Sequence, residues 1–387
     1  MRILIALTYY RPHYSGLTIY VERLARALAQ SGHQVTVLTS RYAKHLPAHE
    51  VADGVEIRRL PVLFRISKGV IMPSMLIWAL RLARQADILN LHVPQLDAAY
   101  LSVIGGLLRK PVVLTYHCDM RLPRGFVHTL ANLASNLANH VTARSADLIV
   151  TNTRDYAENS PFLKYYLPKV RVIPPPITLH PITEQDLAQF RQQANIQPGQ
   201  RIIGMAARLA SEKGVEVLVE AMPSILQKHP QARVLFVGQY QDVLGEEAYA
   251  QRLAPLIEQL GEHWTFLGVL EPTEFSAFLH TAEVTVLPSI NSTESFGMVQ
   301  IEAMISNTPV VASDLPGVRQ PVRESGMGRI VPPHDAAALA SAICDILDHP
   351  GRYQGEAAAI AKRYSPQQIA SEYEALFHEL LARDVAK

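Results

Sequence analysis

Glu294 and Glu302, the ends of the segment ESFGMVQIE, combine residue type and spacing in the way most useful for chemistry. The β-branched run Val284–Leu287 precedes them and ends in a polar loop over 288–295, after which 296–305 has helical spacing. Such a strand–loop–helix turn aims the free N–H groups of Gly297, Met298 and Val299 at whatever lies above the strand. A helix start favours an anion there, phosphate foremost. Glu294 in the loop and Glu302 in the second helical turn can face one mouth without pairing with each other. Peptide N–H groups for phosphate, one carboxylate for sugar hydroxyls and one for ribose together suit a sugar nucleotide. Alone, the spacing is met equally by a solvated N-cap and a surface helix residue. The strand-like runs on both sides favour the site.

Three other places carry candidate chemistry. The strand-like run 202–206 leads into ARLASEKG, where Arg208 and Lys213 precede a helix. Two cations at the carboxyl end of a strand suit a diphosphate leaving group, whose charge grows as its bond breaks. The plainer alternative is that Lys213 merely precedes the turn at Gly214 and Arg208 pairs with a nearby acid. His117-Cys118-Asp119 follows the run 112–116, again at a carboxyl end, so His117 is read either as a catalytic or substrate-binding residue or as a structural one. Gly16 follows the run 3–7 and precedes a helix starting at Leu17, where a missing side chain lets backbone approach a ligand. No G-x-G-x-x-G fingerprint accompanies it.

These residues need a scaffold of alternating strands and helices, and the chain supplies one twice over. Strand-like runs at 3–7, 34–38, 88–92, 112–116, 148–151 and 170–173 alternate with helical patterns at 19–30, 75–85 and 98–108. A second series begins at 202–206 and continues through 234–237, 264–267, 284–287 and 310–312, with helices starting at Val215, Tyr249, Phe275 and Gly297. Alternation of this kind predicts parallel sheets covered on both faces. The expected fold class is therefore α/β, with two Rossmann-like domains facing each other across a cleft that holds the substrate. The chain has 387 residues, and a norm of about 150 residues per domain agrees with two. Pro174-Pro175-Pro176, a stiff extended connector, places the boundary, giving domains over 1–176 and 177–365. A final helical stretch over 366–387 is expected to pack back on the first domain.

Composition narrows the partners. Hydrophobic residues make up 48% and charged residues 18%, which supports buried cores and excludes disorder. Residues 1–180 hold 21 Lys and Arg against 10 Asp and Glu, and the remainder 15 against 25, an asymmetry hidden by the net charge of +1. An anionic or membrane-surface partner for the first half follows, or simply two domains that differ in charge. No basic helix interleaved with aromatics is present, so nucleic acid is not expected. Cys118 and Cys344 are far apart, with neither disulfide framework nor metal spacing, which fits a reducing cytoplasmic setting. The start MRILIALTYY is too short an apolar run for a signal peptide and reads as a buried strand. No uninterrupted apolar run reaches the ~18 residues of a membrane span, so any contact with a membrane is peripheral, on its inner face. Two acid-free stretches bear on that. Arg58, Arg59, Arg65, Lys68, Arg81 and Arg84 lie among apolar residues between Glu56 and Asp87, and Arg121, Arg124 and Arg144 lie between Asp119 and Asp147. They read as interfacial membrane anchors or equally as sheet-covering helices.

With these residues assembled, the chain resembles the retaining glycosyltransferases of family 4, which have the GT-B fold. ESFGMVQIEAM is similar to that family's Glu-x7-Glu signature, ARLASEKG to its Arg–Lys phosphate loop, and TYHCD to its histidine segment; ESGMGRIVPPHDAAALASAI is similar to the stretch after its nucleotide site. The resemblance covers nearly the whole chain. It implies that Glu294 and the backbone of Phe296 and Gly297 hold the donor sugar and that Glu302 holds ribose. Met298, Val299, Arg208 and Lys213 would receive the diphosphate, Gly16 would admit it closely, and His117 would contact the sugar near the reacting carbon. Asp119 and Arg121 are acceptor-side candidates. The pattern departs at Ser15-Gly16, where the family often has two glycines, at Thr18, where it often has Glu, and at Pro175-Pro176, where it has an Asn-Gly turn.

The implied reaction is hexose transfer from a nucleotide-diphosphate sugar of the GDP-mannose or UDP-glucose type. The acceptor attacks on the leaving-group face and the departing phosphate oxygen takes its proton. No side-chain nucleophile with an adjacent base and no Asp-x-Asp at a strand end is present, so neither a metal nor another cofactor is expected. The basic, apolar first half favours a lipid-linked or membrane-lipid acceptor, and a soluble polyol or phosphosugar would also welcome the charge. Two alternatives use the same residues: a sugar-nucleotide 2-epimerase of GT-B-like fold, and a catalytically silent GT-B binding protein.

Overall fold

The computed structural model describes residues 1–66, 69–119 and 126–385. It divides into two compact units, the first made of 1–176 with 364–387 and the second of 177–363.

The first unit is built on an eight-stranded sheet whose spatial order is β10-β9-β8-β7-β1-β2-β4-β3. In chain order these are β1 (Arg2–Ala6), β2 (Gln34–Arg41), β3 (His49–Ala52) and β4 (Val55–Pro61), then β7 (Ile88–Val93), β8 (Val112–Tyr116), β9 (Leu148–Thr151) and β10 (Val170–Val172). A short hairpin, β5 (Phe64–Ile66) and β6 (Gly69–Ile71), stands apart from it. β7, β8 and β9 are buried along their whole lengths, as apolar runs covered on both faces must be. All pairings in the sheet are parallel except β3 with β4 at the edge.

That edge corrects one expectation. Arg58 and Arg59 lie on β4, and Arg65 on β5, because VEIRRLP alternates with period two rather than 3.6. Arg59 is 3% exposed and donates to Glu50 and to the carbonyls of Arg11 and Pro47, so it is a buried tie and not an anchor. Arg81 and Arg84 do lie on a helix, Met75–Gln85. Lys68, Arg121 and Arg124 fall outside the described residues.

The helix Pro366–Val385 belongs to this first unit and packs against the helix Gly16–Gln30. Tyr20, Leu24 and Leu28 share a core with Ile369, Tyr373 and Phe377. The Tyr20 and Tyr373 hydroxyls meet at 2.8 Å inside that core.

The second unit holds a wholly parallel six-stranded sheet in the order β13-β12-β11-β14-β15-β16. Its strands are β11 (Arg201–Ala206), β12 (Ala232–Val237), β13 (Trp264–Gly268), β14 (Val284–Leu287), β15 (Val310–Ser313) and β16 (Gly328–Val331). The order reverses at β11, where β12 lies on one side and β14 on the other. Such a switch point leaves a crevice at the carboxyl ends of the two central strands. The loops after β11 and β14 are the ones that carry Arg208, Lys213 and Glu294.

Candidate active site

In the second unit the loops after β11 and β14 are fastened to each other. The Ile290 N–H donates to the Glu212 carbonyl at 3.1 Å, and the Lys213 ammonium meets the Glu294 carboxylate at 2.6 Å. Gly214 makes the approach sterically feasible. Its φ is +65°, and a Cβ there would stand 2.0 Å from the Pro288 carbonyl oxygen. Beyond Gly214 the helix Val215–Lys228 begins. Arg208 pairs with Glu212 at 3.0 Å, so each cation is matched by a carboxylate, the plainer alternative for Arg208 included. A part-exposed ion pair is weak, about 0–1 kcal/mol, so these pairings do not contradict the phosphate role expected of the two cations.

The helix after β14 starts at Met298, one residue after the expected start at Gly297, because Gly297 adopts φ +79° and serves as the N-cap. Space dictates that conformation as well, since a Cβ on Gly297 would lie 2.2 Å from Leu287 Cδ2. The buried Gln300 amide donates to the carbonyls of Phe296 (2.7 Å) and Val318 (2.9 Å), pinning the turn from behind. With the Phe296 ring only 3% exposed, this residue can serve a ligand through its backbone alone. The first-turn N–H groups of Met298 and Val299 have no acceptor within the helix. Glu302 sits one turn on and is 6% exposed, which removes the reading of it as a surface helix residue.

In the first unit, Ser15 has extended backbone and accepts from the Thr18 N–H at 3.2 Å, so the helix opens at Gly16 itself. Thr18 is buried, with its hydroxyl on the Tyr9 carbonyl at 3.2 Å. Both departures from the family pattern thus serve to fix the first loop. His117 follows β8 and is stacked on His92 of β7, with ring centroids 5.2 Å apart. Tyr20 meets His117 edge-on at 4.8 Å. Asp119, 6% exposed, accepts from the hydroxyls of Tyr116 (2.9 Å), Tyr156 (2.9 Å) and Ser160 (2.8 Å). Three hydroxyls on one carboxylate give Asp119 a positioning task, tying the His117 loop to the helix Arg154–Asn159. Arg121 lies outside the described residues.

Sequence reasoning passed over His92, Gln300 and the loop after β12. In that loop Gly238, at φ +124°, lets backbone close to 2.2 Å between a would-be Cβ and the Ala207 carbonyl oxygen. Further along the same loop lies a concavity of about 340 Å³ lined by Tyr240, Asp242 and Glu246, whose carboxylate accepts from the Ser211 N–H at 3.0 Å. A glycine directly after the apolar run VLFV was the available signal.

Burial drives the His117 imidazole down to about 3, and burial followed by the neighbouring ring holds His92 well below its ordinary value of 6.5. Both are neutral near pH 7. The unfolded chain, titrating near 6.5, binds more protons than the folded one between about pH 3 and 6.5. The stability these rings contribute is therefore complete above the unfolded value and lost as pH falls through that window. Urea unfolding at about pH 7 and about pH 5 is expected to show a smaller acid loss in His117→Gln than in the parent. Equal losses would contradict the neutral, buried ring.

Comparison with known proteins agrees with this architecture. The family profile described as "Glycosyl transferase 4-like domain" matches residues 15–176, and "Glycosyl transferases group 1" matches 186–367. The D-inositol 3-phosphate glycosyltransferase of Nocardia farcinica is 30% identical, covering 86% of this chain and 77% of its own. The phosphatidyl-myo-inositol mannosyltransferase of Mycobacterium leprae is 25% identical, over 92% and 91%. Among solved structures, HepE from Anabaena in complex with UDP-glucose superposes with a TM-score of 0.75 at 21% identity, over 98% of this chain and 100% of that one. With two Rossmann-like units, loops that gather Arg208, Lys213 and Glu294, and these relatives, the fold is GT-B and the chain belongs to glycosyltransferase family 4.

Proposed function

We propose that this glycosyltransferase moves a hexose from a nucleotide-diphosphate sugar of the GDP-mannose or UDP-glucose type to a hydroxyl of a membrane lipid, with retention and without a metal. The observation that carries the reading is the 2.6 Å contact between Lys213 and Glu294, which couples a phosphate cation to a sugar-binding carboxylate across two loops. In the reaction the bond between the anomeric carbon and the diphosphate oxygen breaks, and its electron pair leaves with the phosphate. The acceptor oxygen bonds to the same face of that carbon and passes its proton to the departing phosphate oxygen. Arg208, Lys213 and the N–H groups of Met298 and Val299 receive the growing charge, each well-aimed donor contributing about 3 kcal/mol. Glu302 holds ribose, Glu294 with the Phe296–Gly297 backbone holds the sugar, Gly16 gives the diphosphate room, and His117 makes a further hydrogen bond to the sugar.

Two observations favour a lipid acceptor. The name of one relative carries phosphatidyl-myo-inositol, a lipid, while that of another carries D-inositol 3-phosphate, the soluble acceptor that the test below sets against it. In the first unit, the neighbouring helices Met75–Gln85, Ala98–Leu107 and Phe126–Ser145 expose Leu76, Ile77, Leu107, Leu133 and Leu137, with Arg81 and Arg84 beside them. Leucines standing out among arginines suit an anionic lipid surface. Among the described residues no helix is long and apolar enough to cross a membrane, and the contact proposed here is a peripheral one.

The test offers both donors, in EDTA, with phosphatidylinositol in anionic vesicles or with free inositol phosphate. A glycolipid of retained anomeric configuration is expected, and co-sedimentation with vesicles should fall about tenfold in the double variant Leu76→Asp, Ile77→Asp. An inverted product would overturn the mechanism, and transfer to free inositol phosphate alone would overturn the lipid assignment.

A further inference from the structure

His92 is the residue that the proposed reaction leaves unexplained. Parallel strands β7 and β8 place His92 opposite Thr115, and the His117 N–H extends the ladder to the Val93 carbonyl at 3.2 Å. The backbone thereby brings two imidazoles together, with His92 Nδ1 2.9 Å from His117 Nε2 and the ring planes 25° apart. His92 is wholly buried, and its other nitrogen, Nε2, has no hydrogen-bond partner among the described residues.

Two neutral imidazoles joined by one hydrogen bond have two arrangements. If His117 donates from Nε2, then His92 must keep its proton on Nε2, where a buried N–H goes unmatched. If His92 donates from Nδ1, its Nε2 is a bare lone pair, and His117 carries its proton on Nδ1. A buried N–H without an acceptor costs about 1–3 kcal/mol and is rarer in folded proteins than an unused acceptor. The second arrangement follows.

We propose that His92 is a positioning residue that fixes His117 as its Nδ1–H tautomer, making Nδ1 the single donor of that ring. Combined with the sugar-binding role assigned to His117, on which its catalytic consequence rests, this means His117 serves the donor sugar as a hydrogen-bond donor and not as a base. Tyr20, edge-on to His117 and bonded through its hydroxyl to Tyr373, keeps both rings from turning. A histidine side chain in water prefers the opposite, Nε2–H tautomer, so the preference is one the strands impose.

The tautomer can be read without any turnover. In protein labelled with 15N-histidine, the His117 signals are assigned by their loss in His117→Gln. Nδ1 is expected to show the protonated, pyrrole-type shift and Nε2 the bare, pyridine-type shift. In His92→Phe, which keeps the stack and deletes the donor, the Nε2–H form should appear and kcat should fall at least about tenfold, with the donor KM little changed. His92→Asn, whose amide nitrogen sits where Nδ1 was, should restore both in part. An Nε2–H tautomer in the parent protein, or an Nδ1–H tautomer that persists in His92→Phe, overturns the proposal. Undiminished transfer by His117→Gln would instead remove the sugar-binding role and leave the tautomer result standing.

Discussion

Glu294→Ala is expected to lower kcat by at least about a hundredfold while the protein stays folded and still binds nucleoside diphosphate. The separation of the two effects comes from the Lys213 pair. Both side chains are part-buried, 21% and 14% exposed, so losing the pair costs about 1 kcal/mol of stability and leaves a cation without its carboxylate. That cation is then free for phosphate, and affinity for the diphosphate alone should stay level or rise. On the proposed role of Glu294, transfer should collapse because the sugar loses the carboxylate that would accept from its hydroxyls as the anomeric bond stretches. Calorimetry with the diphosphate and steady-state kinetics with the intact donor distinguish the two. Turnover close to the parent would remove Glu294 from the site.

Gly214→Ala should do the reverse and damage binding and folding together. At φ +65° a side chain is strained wherever it stands, and here its Cβ would also lie 2.0 Å from the Pro288 carbonyl oxygen and 2.9 Å from Ile290 Cγ2. The two loops must part, breaking the bond from the Ile290 N–H to the Glu212 carbonyl. A loss of at least about 2 kcal/mol is expected, with a tenfold or greater loss of diphosphate affinity. Gly199→Ala is the control, since Gly199 has φ +85° and nothing within 4 Å of its would-be Cβ, so it reports backbone strain alone. Equal effects at the two positions would mean that the loop contact contributes nothing.

What the sequence made legible was set by periodicity. The runs ending β8, β9 and β14 are solidly apolar or β-branched, and their limits in the structure are those read from the sequence. β4 was hidden because alternation with arginine resembles a basic surface, and only its partner Glu50, on a strand that was itself unread, shows why Arg59 is buried. The residues Arg208, Lys213 and Glu294 were legible as types at strand ends. Their mutual pairing was not, since Lys213 and Glu294 are separated by 81 positions and meet only because β11 and β14 are neighbours. His92 was illegible for the same reason. An isolated histidine inside ILNLHV carries no mark of the second ring, 25 positions on, that gives it a purpose.

The helix Pro366–Val385 completes the first unit with residues that the ribosome adds only after the whole of the second unit. Until they emerge, the face of Tyr20, Leu24 and Leu28 that later receives Tyr373 and Phe377 has no cover, although the rest of its sheet was synthesised long before. The second unit, by contrast, is one continuous piece of chain and can finish while still tethered. Order of synthesis and order of completion are thus inverted. In topological terms the second unit is an insertion within the first. Deleting this helix would therefore injure the half of the molecule that is made first.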